Sequence, residues 1–239
     1  QTHPGRRRQG LMCRLMTLDH AAFQGLGVHR FHGAVSDDLG TLFTILADLP
    51  SDRAGVRLRG IDRLSQYLAP DGRIGAVAAE VLGDASRPVR AILFDKTAET
   101  NWSLDWHQDR TICVERRVAI DGYGPWSMKA GMQHVAPPFD LLSRMVTVRV
   151  HLDDVSVENA PLLIAPGSHR YGRVAIDDVP EVVRQCGVQV CLAKAGDIWL
   201  YATPILHASD AAARPTRRRV LQIDYAAEEL PGDLEWLGV

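Results

Sequence analysis

The sequence predicts a mainly β protein with flanking helices: a double-stranded jelly roll whose N-terminal helices pack on one sheet. Three observations point there. Apolar residues recur at helical spacing in the first third of the chain, the rest breaks into short runs of strand character, and turn signals separate those runs closely. At 239 residues the chain suits one domain covering 1–239, with no internal repeat, low-complexity tract or interdomain linker.

Within the helical third, residues 11–33 mix apolar side chains with Gly25, Gly27 and Gly33 and show no clean period. Ser36 is then placed to cap a helix, with Asp37 and Asp38 in its first turn. Leu39, Leu42, Phe43, Leu46 and Leu49 form its buried stripe and Pro50 ends it. A second helix is expected over 71–82, capped by Asp71 and stopped by Gly83.

After Pro88 the texture changes. Residues 89–94 read as a short apolar strand closed by Lys96, and 101–109 follow as N-W-S-L-D-W-H-Q-D. Residues 122–136 read as a loop-rich segment carrying Trp126, Lys129 and His134. Strict alternation over 145–152 predicts a strand with Arg149, His151 and Asp153 on one face and Val148, Val150 and Leu152 on the other. Further strands are expected at 162–165, 188–192, 198–201 and 218–225, between turns at 158–161, 166–169 and 196–197.

Composition narrows the function classes. Hydrophobic residues make up 46% of the chain, enough for an ordinary core. Lys and Arg number 27 against 29 Asp and Glu, so nothing draws the protein in bulk to nucleic acid or to a membrane surface. No apolar run approaches the roughly 18 residues of a membrane span. Cys13, Cys113, Cys186 and Cys191 have no C-x-x-C spacing and read as reduced thiols of a cytoplasmic protein. Residues 1–10 are polar and Arg-rich without a signal-peptide core; they are expected to be a flexible tail.

The chemistry concentrates around 101–109. His107 and Asp109 are two residues apart, the spacing that puts both on one face of a strand, where they could chelate one metal ion. A third ligand is needed, and His207 is the candidate, with Arg218 eleven residues beyond it. Two histidines and a carboxylate with open positions suit non-haem Fe(II), and an arginine near them suits the distal carboxylate of a 2-oxo acid. A second H-x-D pair, His151/Asp153, has the same spacing and could equally combine with His207. Spacing leaves both open, although Trp102 and Trp106 favour the first pair by walling a dry pocket.

W-H-Q-D at 106–109, P-G-S-H at 166–169 and H-A-S at 207–209 followed by Arg218 resemble the phytanoyl-CoA dioxygenase family. The resemblance covers about 94–225, more loosely the helical part before it. It departs from the family pattern at Asn159-Ala160-Pro161, where a glycine is usual. The resemblance implies a cupin-like double-stranded β-helix and an Fe(II)- and 2-oxoglutarate-dependent dioxygenase that consumes O2 and releases succinate and CO2. It implies His107, Asp109 and His207 as metal ligands, leaving His151 and Asp153 structural. Arg218 and Ser209 would bind the cosubstrate, and Lys96 and Arg149 stand where pocket residues touching it are often found.

Asp109 implies a hydroxylase rather than a halogenase, since related halogenases carry Gly or Ala at this carboxylate. Trp106, Trp126, Lys129 and His134 are the candidates for binding a small-molecule substrate, the last two through an anionic group. Arg217 and Arg219 are expected on a solvated strand face. A cupin-like metalloenzyme without 2-oxoglutarate and a non-catalytic ligand-binding barrel are the competing readings. Oligomeric state is not readable from the sequence.

Overall fold

The computed structural model describes residues 17–50 and 53–239, so the expected tail at 1–10 and Cys13 lie outside the described residues. In chain order the elements are α1 His20–Leu26, β1 Val28–Phe31, α2 Leu39–Ile45, β2 Gly55–Leu58, α3 Asp62–Leu68, α4 Gly75–Leu82, β3 Arg87–Lys96 and β4 Leu104–His107. There follow β5 Ile112–Val114, β6 Trp126–Lys129, β7 Met132–Val135, α5 Phe139–Ser143, β8 Val146–His151, β9 Leu162–Ile164 and α6 Val179–Cys186. The chain closes with β10 Gln189–Cys191, β11 Ile198–Ala202, β12 His207–Ser209 and β13 Arg218–Ala226.

These strands form the expected jelly roll. The larger sheet has the order β1-β11-β8-β13-β3-β2 and the smaller β10-β9-β12-β4, all antiparallel. A three-stranded sheet, β5-β7-β6, stands beside them. The two main sheets meet through one buried cluster in which Trp199 and Tyr201 of β11 pack with Leu162, Ile164 and Cys191 of the smaller sheet.

Alternation gives the larger sheet two unlike faces. Leu93, Val148, Val150, Leu221 and Ile223 point outward into a cluster with Leu42, Leu64, Leu68 and Val77 of the helices. Their neighbours point inward. Cross-strand register sets Arg57, Ile92, Gln222 and Arg149 in one row across four strands, and Lys96 opposite Arg218 at the end of the sheet.

Local structure follows mostly ordinary rules. Asp19 caps α1, its carboxylate accepting from the Ala22 amide at 3.0 Å, and Gly27 closes the helix at φ 68. Three expectations need correction. Ser36 does not cap a helix; it opens a 3-10 turn, and α2 begins only at Leu39. The helix expected from Asp71 starts at Gly75, and another helix, α3, precedes it.

The third correction is at 122–136, where the expected loop is a hairpin of β6 and β7. Its two-residue turn puts Ala130 at φ 50 and Gly131 at φ 75, both left-handed, as a tight hairpin turn demands. Alanine at the first of these positions hides the turn from the sequence. Among the described residues, no helix is long and apolar enough to cross a membrane.

Candidate metal centre

The smaller sheet builds the site. His107 ends β4 and His207 opens β12, and the two are direct cross-strand partners. Their rings therefore face each other, centroids 4.3 Å apart. Asp109, two residues past the strand end, brings its carboxylate to the same point: ligand atoms of His107, Asp109 and His207 all lie within 4.8 Å of one another. His151 and Asp153 do not join them. His151 is buried on the inner face with neither ring nitrogen hydrogen-bonded, and Asp153 is bound to Arg219 at 2.7 Å.

Hydrogen bonds fix the imidazoles for coordination. Nδ1 of His107 lies 2.8 Å from the Asp105 carbonyl, and Nδ1 of His207 lies 2.9 Å from the Ile205 carbonyl. A carbonyl only accepts, so each Nδ1 donates to it, which turns each Nε2 toward the shared point as the ligand nitrogen. Burial, then neighbouring His107, pushes His207 down to about 4, which keeps it neutral. Burial alone would raise Asp109, but Arg90, His207 and His107 outweigh it and hold the carboxyl below its ordinary value. Its buried Oδ2 has no hydrogen-bond partner. Two imidazoles presenting Nε2 and an ionised carboxylate with a free lone pair are the donor set a divalent metal requires.

Behind Asp109 stands Arg90. Its guanidinium donates to Asp224 at 2.5 Å and lies 3.5 Å from the Asp109 carboxylate. Asp224 in turn accepts from Thr147 at 3.1 Å. Sequence reasoning missed Arg90, although R-P-V-R-A-I at 87–92 carried the signal: alternation puts position 90 on the face of Ile92.

On the other side lies a cluster of cations. Nζ of Lys96 donates to the Trp102 carbonyl at 2.6 Å and lies 3.3 Å from the Ser209 hydroxyl. Arg149 donates to Gln222 at 2.6 Å and lies over the Phe94 ring. Arg218 donates to the Ala160 carbonyl, while its buried Nε has no partner. Ala160, standing where the family usually has glycine, takes a left-handed φ of 49. Burial and then Arg149 push Arg218 down to about 9, and burial with Arg218 and Arg149 pushes Lys96 down to about 8. An incoming carboxylate would relieve both. Arg217 and Arg219, expected to be merely solvated, are ion-paired instead, with Asp95 and Asp153 at 2.8 and 2.7 Å.

The His107, Asp109 and His207 group opens into a pocket of about 890 Å3 of empty space, whose lining includes Phe94, Trp102, Arg149, Ser209, Arg218 and Lys129. The other three substrate candidates stand outside that lining. Trp106 faces away, packed on α6. Trp126 packs in the cluster beneath β5 and β7, with Arg117 over its ring. His134 is wholly buried, its Nε2 lying 3.0 Å from Sγ of Cys113. An aromatic or a histidine near a metal motif shows proximity in sequence only; the strand faces send these three elsewhere.

A jelly roll that gathers two imidazoles and a carboxylate at one point, with unpaired buried cations behind them, defines the class of Fe(II)- and 2-oxoglutarate-dependent oxygenases. Within that class the chain belongs to the phytanoyl-CoA dioxygenase family, which its residues 67–220 match.

Solved structures of the same fold include EctD from S. alaskensis with 2-oxoglutarate and 5-hydroxyectoine (21% identity, TM-score 0.63, covering 86% of this chain and 74% of that one). HygX from Streptomyces hygroscopicus with nickel, 2-oxoglutarate and hygromycin B is similar at 17% identity and TM-score 0.59, covering 87% of each chain. SnoN, a non-haem α-ketoglutarate-dependent epimerase from nogalamycin biosynthesis, is similar at 18% identity and TM-score 0.57, covering 97% of this chain and 96% of that one. No curated protein matches the sequence.

Proposed function

We propose that His107, Asp109 and His207 hold Fe(II), and that the protein hydroxylates an aliphatic C–H of a small-molecule metabolite. The carrying observation is the cross-strand pair His107/His207, with both Nδ1 atoms tied to carbonyls and Asp109 alongside. When bound, iron with 2-oxoglutarate and O2 would supply the oxidising power, with cosubstrate breakdown to succinate and CO2.

The chain's own groups do the rest. Arg218 takes the distal carboxylate of 2-oxoglutarate in a charge-assisted pair, and Ser209 donates its hydroxyl to the same group. Lys96 and Arg149 supply further positive charge there. Phe94 and Trp102 wall the cavity and exclude water, which strengthens each of these interactions. Arg90 holds the Asp109 carboxylate ionised and in place. Asp109 itself supports hydroxylation over halogenation, because it fills the position an incoming halide would need; the similar fold of an epimerase makes reaction type the point to test.

The test is Fe(II)-dependent succinate formation from 2-oxoglutarate. Asp109→Ala should lose it by at least about a hundredfold, beyond the 10–100-fold typical of outer-shell changes, with an unchanged melting temperature. Unaltered turnover in that variant refutes the assignment.

A further inference from the structure

We propose that the substrate is an anion with an apolar body, its acidic group held by Arg57 and Lys129; the inference rests on the oxygenase reading above. Charge in the pocket carries the argument. Arg57, Arg90, Lys129, Arg149 and Arg218 line the cavity, and Asp109 is the one carboxylate in that lining. Arg90 is neutralised by Asp224 and Asp109. Arg149 and Arg218 belong to the cosubstrate group. Arg57 and Lys129 remain, with no ion pair to either among the described residues.

Position separates this second pair from the first. Arg57 and Arg149 occupy the two ends of the row Arg57–Ile92–Gln222–Arg149. Three strand spacings put their backbones roughly 14 Å apart. Arg149 is also committed to Gln222 and Phe94. The two guanidiniums therefore enter the cavity from opposite ends of the row. Arg57 and Lys129 instead reach the one cavity from two sheets, Arg57 from β2 of the larger sheet and Lys129 from β6 of the three-stranded one. Nε of Arg57 is buried with no hydrogen-bond partner, and the side chain it belongs to lines the cavity. A buried donor left without an acceptor is costly, and a ligand carboxylate or phosphate meeting this half-buried guanidinium would offset that cost.

The cavity also has an apolar wall. Ile92, Phe94, Trp102, Leu104 and Leu162 form it. A ligand whose acidic group meets Arg57 would lay a hydrocarbon body along these side chains, toward the metal cluster. That arrangement orients a C–H there and leaves the acid at the outer end, away from the iron.

The experiment is calorimetric titration under argon of protein loaded with Fe(II) and 2-oxoglutarate. The probes are matched acids and amides: phenylacetate against phenylacetamide, and hexanoate against hexanamide. Acids should bind about tenfold more tightly, the range of a charge-assisted hydrogen bond. In Arg57→Gln the preference should fall to within about threefold, Arg57→Lys should restore part of it, and Lys129→Gln should weaken it less because that side chain is exposed.

The affinity for 2-oxoglutarate, measured in the same samples, should stay unchanged in Arg57→Gln. Equal binding of acids and amides, failure of both to bind, or an acid preference surviving Arg57→Gln overturns the proposal. Failure of the wild type to bind 2-oxoglutarate instead overturns the oxygenase reading beneath it.

Discussion

Along the strands of the larger sheet, alternate residues meet opposite surroundings. Leu93, Leu221 and Val148 lie against helices in the main apolar cluster, while Phe94, Gln222 and Arg149 look into the barrel. Each fully buried leucine on the outer side contributes about 1.5–3 kcal/mol from burial alone. The inner side gathers Lys96, Arg149 and Arg218 without a carboxylate among them, which costs free energy until an anion arrives. One face folds the protein and the other is held ready for ligands by that fold. The larger apolar cluster lies outside the barrel, and the smaller one around Trp199 and Tyr201 joins the two sheets within it.

The largest expected break of this contrast is on the outer face. Leu221→Ala, at a fully buried position, should lower stability by about 2–5 kcal/mol while leaving the metal affinity of the surviving folded protein intact. Urea unfolding paired with a metal titration decides it, and equal losses in both would show that the faces are not separable. On the inner face Arg218→Ala should raise the KM for 2-oxoglutarate about tenfold or more, because charged hydrogen bonds contribute about 1.5–3 kcal/mol. Its urea midpoint should scarcely fall, and a rise would fit the removal of an unpaired buried charge. An unaltered KM refutes the anchoring role.

A smaller effect sharpens the comparison through pH. Burial, then Arg149 and Arg218, push His151 down to about 3, so it stays neutral in the native state. The unfolded chain takes up that proton below about pH 6.5. Its contribution to stability is therefore complete above pH 6.5 and is lost progressively as pH falls toward 3. His151→Phe should remove about 1.4 kcal/mol per pH unit of that loss. Urea midpoints of both proteins at pH 7 and 5 measure it; parallel declines would show that His151 takes no part.

Much of this was legible in the residues because alternation is a local rule. The strand around Arg149 and the separation of Arg218 from Arg217 and Arg219 follow from period two alone. The first H-x-D pair could be favoured only weakly over the second from its local context, since both have the same spacing in strand-like stretches. What separates them is the partner: β12 pairs with β4, and no residue of β4 announces that pairing. Trp106 and Trp126 misled for a related reason. Their aromatic character fits a pocket wall and a packed cluster equally, and the side they face depends on α6 and β7, elements far away in the chain. Arg57 drew no notice because β2 is a short edge strand after a break, with too few residues to show a period.

β4 is an edge strand of the smaller sheet, hydrogen-bonded among the described residues to β12 and to no other strand. Half of the imidazole pair thus rides on a strand held along one side only, while the other half sits in a strand flanked on both. An ion gripped by His107 and His207 would act as a rivet across that margin, fastening an edge strand of the sheet to its interior neighbour. Loading the metal would then do mechanical work as well as chemical work: it would complete the wall through which the catalytic end of the barrel is closed.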